Sequence, residues 1–264
     1  MLLGILGGCG PAAGAHFYER LIALTEARTD ADHVDVLLSG RASTPDRTHA
    51  MLHGERGAMD ALLRDAALLA DAGVDLLALP CHTAHAYLPE LRSSLHVPLL
   101  DMVEMTVEEA FRRSKSRLGV LCTEGTRRTG IYDRAAAGYG LRVIYPSPSV
   151  QKQVNFLIYE VLKQGRTDFG AGVRTALADL AAQGCDAVSL SCTELSLPAT
   201  MTPPHLYSWN GKLREIPVID PIELLAKRAI IACGRHLKGE EKKDAAFEVA
   251  LGTYSRSPAR GRMG

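Results

Sequence analysis

Two cysteines occupy matching stretches of the chain, and they are the residues best placed to do chemistry. Residues 73–85, GVDLLALPCHTAH, and residues 184–196, GCDAVSLSCTELS, share one plan: a Gly, an Asp two positions later, an apolar run, and a Cys with a Thr close behind. Cys81 and Cys192 are separated by 111 positions (192 − 81), as are the two glycines (184 − 73). Two equivalent units, each ending a buried strand in a thiol, predict two halves that face each other across a cleft.

Opposed thiols could act on the two faces of one carbon atom. One thiolate would remove a proton while the other thiol returns a proton from the opposite side, which is what a cofactor-independent racemase requires. Acid and base groups contribute about 10²–10⁴-fold each, so the developing carbanion also needs electrostatic stabilisation. The hydroxyls of Thr83, Thr126 and Thr193 are candidates for holding a carboxylate. His85 and Glu194 lie close enough in sequence to tune or relay the thiol protons, or to be structural.

The glycine-rich segment GGCGPAAG follows the first predicted strand and opens a helical pattern. Backbone N–H groups at such a turn form a ready anion site, so Gly8 and Cys9 are candidates to contact a carboxylate. Residues 8–13 also fit the relaxed dinucleotide pattern G-x-G-x-x-A. The second strand, however, ends in Ser-Gly-Arg without an acidic residue for a ribose. We therefore rank an anion site first, a dinucleotide site second and a tight turn third.

The other cysteines are interpreted as structural. Cys122, Cys185 and Cys233 are predicted to be small buried hydrophobic residues, and the role of Cys9 beyond its place in the loop is left open. The six cysteines show neither a CxxC motif nor Cys/His spacing for zinc. The sequence therefore predicts free thiols, no disulfide framework and no metal site.

Further repeats define the predicted architecture. LGIL at 3–6 resembles LGVL at 118–121. Residues 97–111 and 216–230 both begin with an apolar residue, Pro, two apolar residues and Asp, and both continue in a helical pattern. Repeated strand and helix units predict an α/β fold of two pseudo-symmetric doubly wound halves with parallel sheets and an active site in the cleft between them. The predicted boundaries are 1–98 for the first half, completed by a return helix at about 216–237, 99–208 for the second half, and 238–264 for a polar tail.

Composition restricts the partners. The 264 residues include 30 basic and 30 acidic side chains, so the net charge of zero argues against binding to nucleic acid or to an anionic membrane. No stretch approaches the ~18 apolar residues of a membrane span, and no leader precedes the first strand. We expect a cytoplasmic protein that binds a small molecule.

Five motifs carry a resemblance to a known family. They are GGCGP near the start, PDRT at 45–48, CHTAH at 81–85, GVLCTEGT at 119–126 and CTE at 192–194. With them the chain, up to about residue 237, resembles the aspartate/glutamate racemase family, most closely its aspartate racemase and broad-specificity amino-acid racemase branch. The D-S-G-x-G-G start and the CTH motif of cell-wall glutamate racemases are both missing from the sequence.

The resemblance implies specific roles. It implies racemisation without pyridoxal phosphate or another cofactor by Cys81 and Cys192, and it implies that Arg47 and Lys163 grip the side-chain carboxylate of an acidic amino acid. Arginine suits bidentate carboxylate recognition, and lysine adds a point charge. It also implies a homodimer. We expect aspartate to be preferred, followed by glutamate.

The sequence departs from the family pattern at four positions. His82 stands where the family usually has Asn, which is expected at the substrate carboxylate. Cys9 replaces Met, Gly14 replaces Thr and Ser191 replaces Gly. Two alternatives therefore stay open. One is a related single-thiol isomerase or decarboxylase, such as a maleate isomerase, and the other is a non-catalytic amino-acid-binding protein on the same fold.

Overall fold

The computed structural model describes residues 1–166, 169–201 and 216–239, and it contains two parallel sheets. The first sheet has the order β2-β1-β3, with a further parallel bridge between Leu77 and Leu99. The second has the order β5-β4-β6-β7. The strands are β1 (Leu2–Leu6), β2 (Asp35–Ser39), β3 (Leu76–Ala78), β4 (Arg117–Leu121), β5 (Arg142–Ile144), β6 (Ala187–Leu190) and β7 (Val218–Ile219). The predicted α/β class with two parallel sheets is confirmed.

Helices connect the strands, as parallel pairing requires. They are α1 (Pro11–Leu24), α2 (Arg47–His53), α3 (Gly57–Asp71), α4 (Leu88–Ser94), α5 (Met102–Arg112), α6 (Glu124–Thr129), α7 (Ile131–Ala137), α8 (Pro148–Phe156), α9 (Gly170–Ala182), α10 (Thr193–Met201) and α11 (Pro221–Ala232). Single 3₁₀ turns lie at Gly7–Cys9, Asp30–Asp32 and Thr83–Tyr87, and a π-helical turn, Leu157–Leu162, continues α8. None of the helices in these ranges is long and apolar enough to cross a membrane.

The repeated Gly-x-Asp sequences have the same structural role in both halves. Gly73 and Gly184 follow α3 and α9 with φ values of 83° and 80°, a left-handed conformation that favours glycine and ends each helix. The following aspartates hold the start of the neighbouring central strand. Asp75 accepts a hydrogen bond from the Leu2 backbone N–H at 2.7 Å, and Asp186 accepts one from that of Arg117 at 3.0 Å. These bonds align the two strands that lead to the cysteines.

The last helix crosses back between the halves. In α11, Ile222 and Leu225 are fully buried in one cluster with Leu3, Ile5 and Phe17 of the first half. The strand just before it, β7, pairs with β6 in the second sheet. The segment expected to be a return helix from about 216 therefore starts as a strand of the second half, because its backbone completes that sheet before the chain turns.

Parts of the predicted division fall outside the described residues. These are the end of the predicted second half, at 202–208, and the polar tail from residue 240 onward. The boundaries at 98 and 99 remain a proposal. Helix α5 contributes to both cores, since Met102 belongs to the cluster of the first sheet and Val107 to a cluster of the second.

Candidate active site

The two repeated cysteines line one cavity between the carboxyl ends of the two sheets. Cys81 follows β3, and Cys192 lies between β6 and the first residue of α10. The cavity is narrow, and part of it is continuous with solvent. Its lining comes from both halves and consists of Cys9, Asp46, Arg47, Thr48, Cys81, His82 and Thr83 from the first and Thr123, Tyr159, Lys163, Ser191, Cys192, Thr193 and Glu194 from the second.

Cys81 is surrounded by groups that stabilise a thiolate. A hydrogen bond from the Cys9 thiol, the positive charge of Arg47 and the Ala84 backbone N–H together lower its pKa to about 6, against the opposing effect of burial. The pKa of Cys9 is raised well above its usual value, first because it donates this hydrogen bond and second because it is buried. Cys9 therefore stays protonated while Cys81 is largely a thiolate at neutral pH.

Cys192 is held in the opposite protonation state. Burial raises its pKa well above the usual value, and the charge of Glu194 and its hydrogen bond raise it further. The Cys192 thiol donates that hydrogen bond to Glu194 Oε2 over 2.9 Å, and the Thr193 hydroxyl donates to the same oxygen over 3.2 Å. One cavity thus presents a base and an acid of the same residue type.

Arg47 is the first residue of α2, and it is buried, with 8% of its surface exposed. Its guanidinium donates to the backbone carbonyls of Cys9 and, at 3.0 Å, of Pro45. Its Nε is buried and has no hydrogen-bond partner. The arginine therefore joins the glycine-rich loop to the PDRT loop and keeps one N–H unpaired.

Lys163 follows the π-helical turn and reaches the cavity from the second half. Its Nζ lies 3.6 Å from Asp46 Oδ2, 3.9 Å from Glu194 Oε1 and 4.4 Å from the centre of the Tyr159 ring. The Tyr159 hydroxyl is 3.4 Å from the same aspartate. π-Helical turns are rare and frequent at functional sites. Here the turn brings Tyr159 and Lys163 to the same cavity wall.

Threonine hydroxyls form a cluster where the halves meet. Thr83 Oγ1 lies 2.7 Å from Thr126 Oγ1 and 3.1 Å from Thr123 Oγ1, and Thr48 donates to Thr123 over 3.1 Å. Thr126 is fully buried and does not line the cavity, so it contacts the site through Thr83. The cluster ties the two loops that follow β3 and β4.

The two histidines of CHTAH differ in their contacts. His85 Nε2 accepts a hydrogen bond from the Met102 backbone N–H at 3.0 Å, so its Nδ1 carries the proton and donates to the Cys81 carbonyl at 2.8 Å. Both nitrogens are occupied by backbone, so His85 positions the Cys81 loop and has no nitrogen left for a proton relay. His82 lines the cavity, and burial holds its pKa well below the usual value, so the ring is neutral.

Gly8 does not line the cavity that contains the two thiols. It lines an adjoining opening that shares Cys9, Asp46 and Arg47 with the cavity wall. A side chain there would clash with the Arg41 carbonyl oxygen, so the position requires glycine for close backbone packing.

Cys122, Cys185 and Cys233 are buried outside the lining, as expected for structural thiols. Within the described ranges, no group of three or more candidate metal ligands occurs.

Five lining residues were not identified from the sequence: Asp46, Thr48, Thr123, Tyr159 and Ser191. Asp46 and Thr48 flank Arg47 in the PDRT motif. The amphipathic pattern of residues 154–163 predicts a helix that ends at Lys163, and Tyr159 lies four positions before Lys163 on the same face. These positions next to Arg47 and Lys163 could have identified the three residues as part of the site. Thr123 lies in the same turn as Thr126. Ser191 is a departure from the family pattern but was not predicted to line the site.

Comparison with known proteins identifies the family. The chain matches the family model described as Asp/Glu/Hydantoin racemase over residues 6–229. The chain belongs to this family. A broad-specificity amino-acid racemase, RacX of Bacillus subtilis, is 31% identical over 233 residues, which cover 87% of this chain and 96% of RacX. The racemase described here is thus related over nearly its full described length.

Solved structures agree with this assignment. The aspartate racemase of Picrophilus torridus superposes with a TM-score of 0.73 at 26% identity, covering 90% of this racemase and 96% of that chain. The glutamate racemase of Francisella tularensis in complex with D-glutamate gives a TM-score of 0.63 at 15% identity, covering 87% and 79%, which shows a shared fold. The chain is therefore an amino-acid racemase of the Asp/Glu racemase family, as its sequence motifs indicated.

Proposed function

We propose that this racemase interconverts the L- and D-forms of an acidic amino acid, aspartate ahead of glutamate, by two-base catalysis with Cys81 and Cys192. The observation that carries the proposal is the pair of equivalent thiols lining one cavity in opposite protonation states. The aspartate preference is supported by the similarity to an aspartate racemase, while RacX, by its name, has broad specificity.

The mechanism follows from the two proton states. Cys81, as thiolate, removes the α-proton from one face of the bound amino acid, and the Cys192 thiol delivers its proton to the other face. The product leaves Cys81 protonated and Cys192 as thiolate, so the reverse reaction starts from the state that the forward reaction ends in. No cofactor enters this scheme. Glu194, which accepts the Cys192 proton in a hydrogen bond, stabilises the thiol form to which the resting enzyme returns.

The carbanion charge spreads onto the α-carboxylate during the reaction. Preorganised donors around that group lower the barrier because they are already oriented when the charge develops. Thr83 and the turn containing Gly8 and Cys9 would supply hydroxyl and backbone donors near the thiols, and Thr193 would join them by exchanging its bond to Glu194 for one to the substrate. Thr126 fixes the Thr83 hydroxyl through their 2.7 Å contact.

Two cationic side chains would bind the side-chain carboxylate of an acidic substrate. The unpaired Nε of Arg47 and the ammonium of Lys163 lie on opposite halves of the cleft, so a side-chain carboxylate would bridge them. Asp46 and Glu194 lie 3.6 Å and 3.9 Å from the lysine ammonium, so a substrate carboxylate would compete with these two contacts.

Exchange in heavy water tests the function. The pure protein is incubated under reducing conditions with L-aspartate and, separately, with L-glutamate, and loss of the α-proton signal is followed together with formation of the D-enantiomer. We expect deuterium at the α-carbon of the D-product and faster turnover of aspartate. Exchange with neither acid would refute the acidic-substrate proposal. Conversion of maleate instead, or ligand binding without exchange, would favour the single-thiol isomerase or the binding protein.

Assembly and location are further proposals. We propose a homodimer, supported by exposed apolar side chains, among them Tyr18 and Ile22 on α1. Light scattering on the purified protein tests the homodimer, and a monomer mass would refute it.

We also propose a cytoplasmic location, supported by six free cysteines. Fractionation of the source cells tests that.

A further inference from the structure

His82 has one ring nitrogen engaged and one without a partner. Nδ1 lies 2.9 Å from the Tyr132 hydroxyl, whereas Nε2 is shielded from solvent and makes no hydrogen bond. The side chain is 3% exposed and lines the cavity next to Cys81. A buried polar atom left unpaired costs roughly 1–3 kcal/mol, so such atoms call for an explanation. Among the lining residues, only Arg47 Nε shares this property.

Tyr132 determines which nitrogen of His82 carries the proton. It lies on α7 of the second half and is fully buried, and burial raises the pKa of its hydroxyl, so it stays protonated. His82 Nδ1 is the acceptor within hydrogen-bond distance of the phenol, so the protonated phenol donates to it. A neutral imidazole that accepts at Nδ1 carries its proton at Nε2.

We propose that Tyr132 is a positioning residue for racemisation: it fixes His82 as the Nε2–H tautomer, which makes His82 a neutral donor to the α-carboxylate of the substrate. This inference rests on the proposed function. The donor stays neutral because the ring is buried and lies near His85, and both effects lower its pKa. A neutral N–H stabilises the charge that grows on the carboxylate oxygens without giving up its proton.

Tyr132 also connects the loops of the two thiols. His82 directly follows Cys81, and Ser191 directly precedes Cys192. The Ser191 hydroxyl donates to Ser189 at 2.8 Å, and both serines are fully buried. The phenol contacts His82, next to the base, and Ser191, next to the acid, also influences its pKa.

The tautomer can be measured without turnover. Long-range proton–nitrogen spectra of ¹⁵N-histidine-labelled protein, with His82 assigned by comparison with His82→Asn, distinguish a protonated from an unprotonated ring nitrogen. We expect protonation at Nε2 alone throughout the pH range in which histidines ordinarily titrate, and a mixture of tautomers in Tyr132→Phe. Protonation at Nδ1 in the unmodified protein would overturn the proposal, because Nε2 would then be an acceptor suited to the substrate ammonium.

Kinetics test the donor role. His82→Asn keeps an N–H donor and should retain activity within about 10-fold, whereas His82→Leu should lose about 10²–10³-fold in kcat. Tyr132→Phe removes one hydroxyl and should lower kcat by about 10-fold. Tyr139→Phe is the matched control, since that hydroxyl donates to Glu104 at 2.9 Å outside the cavity. It should leave kcat unchanged.

Two results would contradict the proposal. One is equal activity of His82→Leu and His82→Asn with all variants shown to be folded by circular dichroism. The other is a Tyr132→Phe variant with unaltered kcat and an unaltered His82 tautomer. If the protein racemises no acidic amino acid, the nitrogen spectra still decide whether Tyr132 fixes the ring, so that the two failures are told apart.

Discussion

At the scale of single residues, identical side chains acquire different chemistry from their neighbours. Cys81 and Cys192 follow equivalent strands, yet one faces a thiol donor and an arginine while the other faces a carboxylate. The difference is electrostatic, since an adjacent donor or cation favours a thiolate and an adjacent anion favours a thiol. Cys9 and Glu194 are therefore the residues that separate the base from the acid.

Replacing Cys9 by Ala should raise the Cys81 pKa above its value of about 6, because the hydrogen bond from Cys9 is the largest cause of that low value. The rate of iodoacetamide alkylation at Cys81 against pH, read by mass spectrometry of the modified peptide, measures this. The midpoint should move to higher pH. Cys185→Ala, outside the cavity, should leave it in place, and an unchanged midpoint in Cys9→Ala would contradict the assignment.

Replacing Glu194 by Gln should lower the Cys192 pKa, because both the charge and the hydrogen bond of Glu194 raise it. The pH profile of kcat/KM reports the free enzyme, with Cys81 on the acidic limb and Cys192 on the basic limb. In Glu194→Gln the basic limb should move to lower pH, and the acidic limb should move less in the same direction, because the Glu194 charge is only a minor influence on the Cys81 pKa. Because racemisation has an equilibrium constant of one, kcat/KM should be equal for both enantiomers at each pH. A basic limb that does not move would refute the role of Glu194.

At the scale of elements, two helices begin with equivalent aspartate caps in different surroundings. Asp101 caps α5 through the Val103 and Glu104 backbone N–H groups. Asp220 caps α11 through Ile222 and also accepts from the Ser196 hydroxyl at 2.8 Å. Ser196 lies on α10, the helix that starts directly after Cys192, so the second cap also holds the acid loop.

Asp220→Ala should therefore destabilise the protein by about 1–3 kcal/mol, through loss of the cap and of the Ser196 partner. Asp220→Asn should cost less, because Asn also caps helices and carries no buried charge. Asp101→Ala is the matched variant and should cost about 0.5–2 kcal/mol. Urea unfolding monitored by circular dichroism measures all three. A larger loss in Asp101→Ala than in Asp220→Ala would contradict this ranking.

The regular helices α5 and α11 were predictable from the sequence, whereas the π-helical turn was not. The Pro-apolar-apolar-Asp repeat indicated a helical continuation after both aspartates, and α5 and α11 confirm it. The amphipathic pattern around residues 154–163 predicted an ordinary helix, yet residues 157–162 form a π-helical turn. An apolar stripe does not distinguish the two kinds of helix. The π-helical turn places Tyr159 and Lys163 beside Asp46, a contact that lies far away in the sequence.

At the scale of the whole molecule, the two halves meet so closely that a single glycine matters. Gly125 on α6 faces Thr48 on α2, and a Cβ atom at Gly125 would lie 2.6 Å from Thr48 Oγ1 and 2.8 Å from Thr48 Cα. Backbone atoms cannot yield as a flexible side chain can. We therefore infer that this contact helps to set the spacing of the cleft.

Gly125→Ala should open the cleft and lower kcat/KM by about 10²-fold, since displacements near 1 Å have such effects on catalysis. Gly138→Ala is the control, because that glycine is exposed and its added Cβ would meet only the Ala135 carbonyl at 3.6 Å. Steady-state kinetics and small-angle scattering measure both variants. Wild-type kinetics in Gly125→Ala would refute the role of this contact.

The pairing of the halves was predictable, whereas the contacts between them were not. The common offset of 111 positions placed Cys81 and Cys192 in equivalent positions, and the shared cavity follows. Tyr132 carried no sequence signal, since its partner His82 lies on the other half and 50 positions away. Contacts across a cleft depend on how the halves are oriented, and local patterns do not report that.

The most direct test of the account is isotope exchange by the two single-cysteine variants, Cys81→Ala and Cys192→Ala, with L-aspartate in heavy water. If two opposed bases are required, both variants should lose inversion by at least about 10³-fold relative to the unmodified protein, with folding unchanged by circular dichroism. Retention of D-aspartate formation by either variant at a rate near that of the unmodified protein would contradict the two-thiol mechanism.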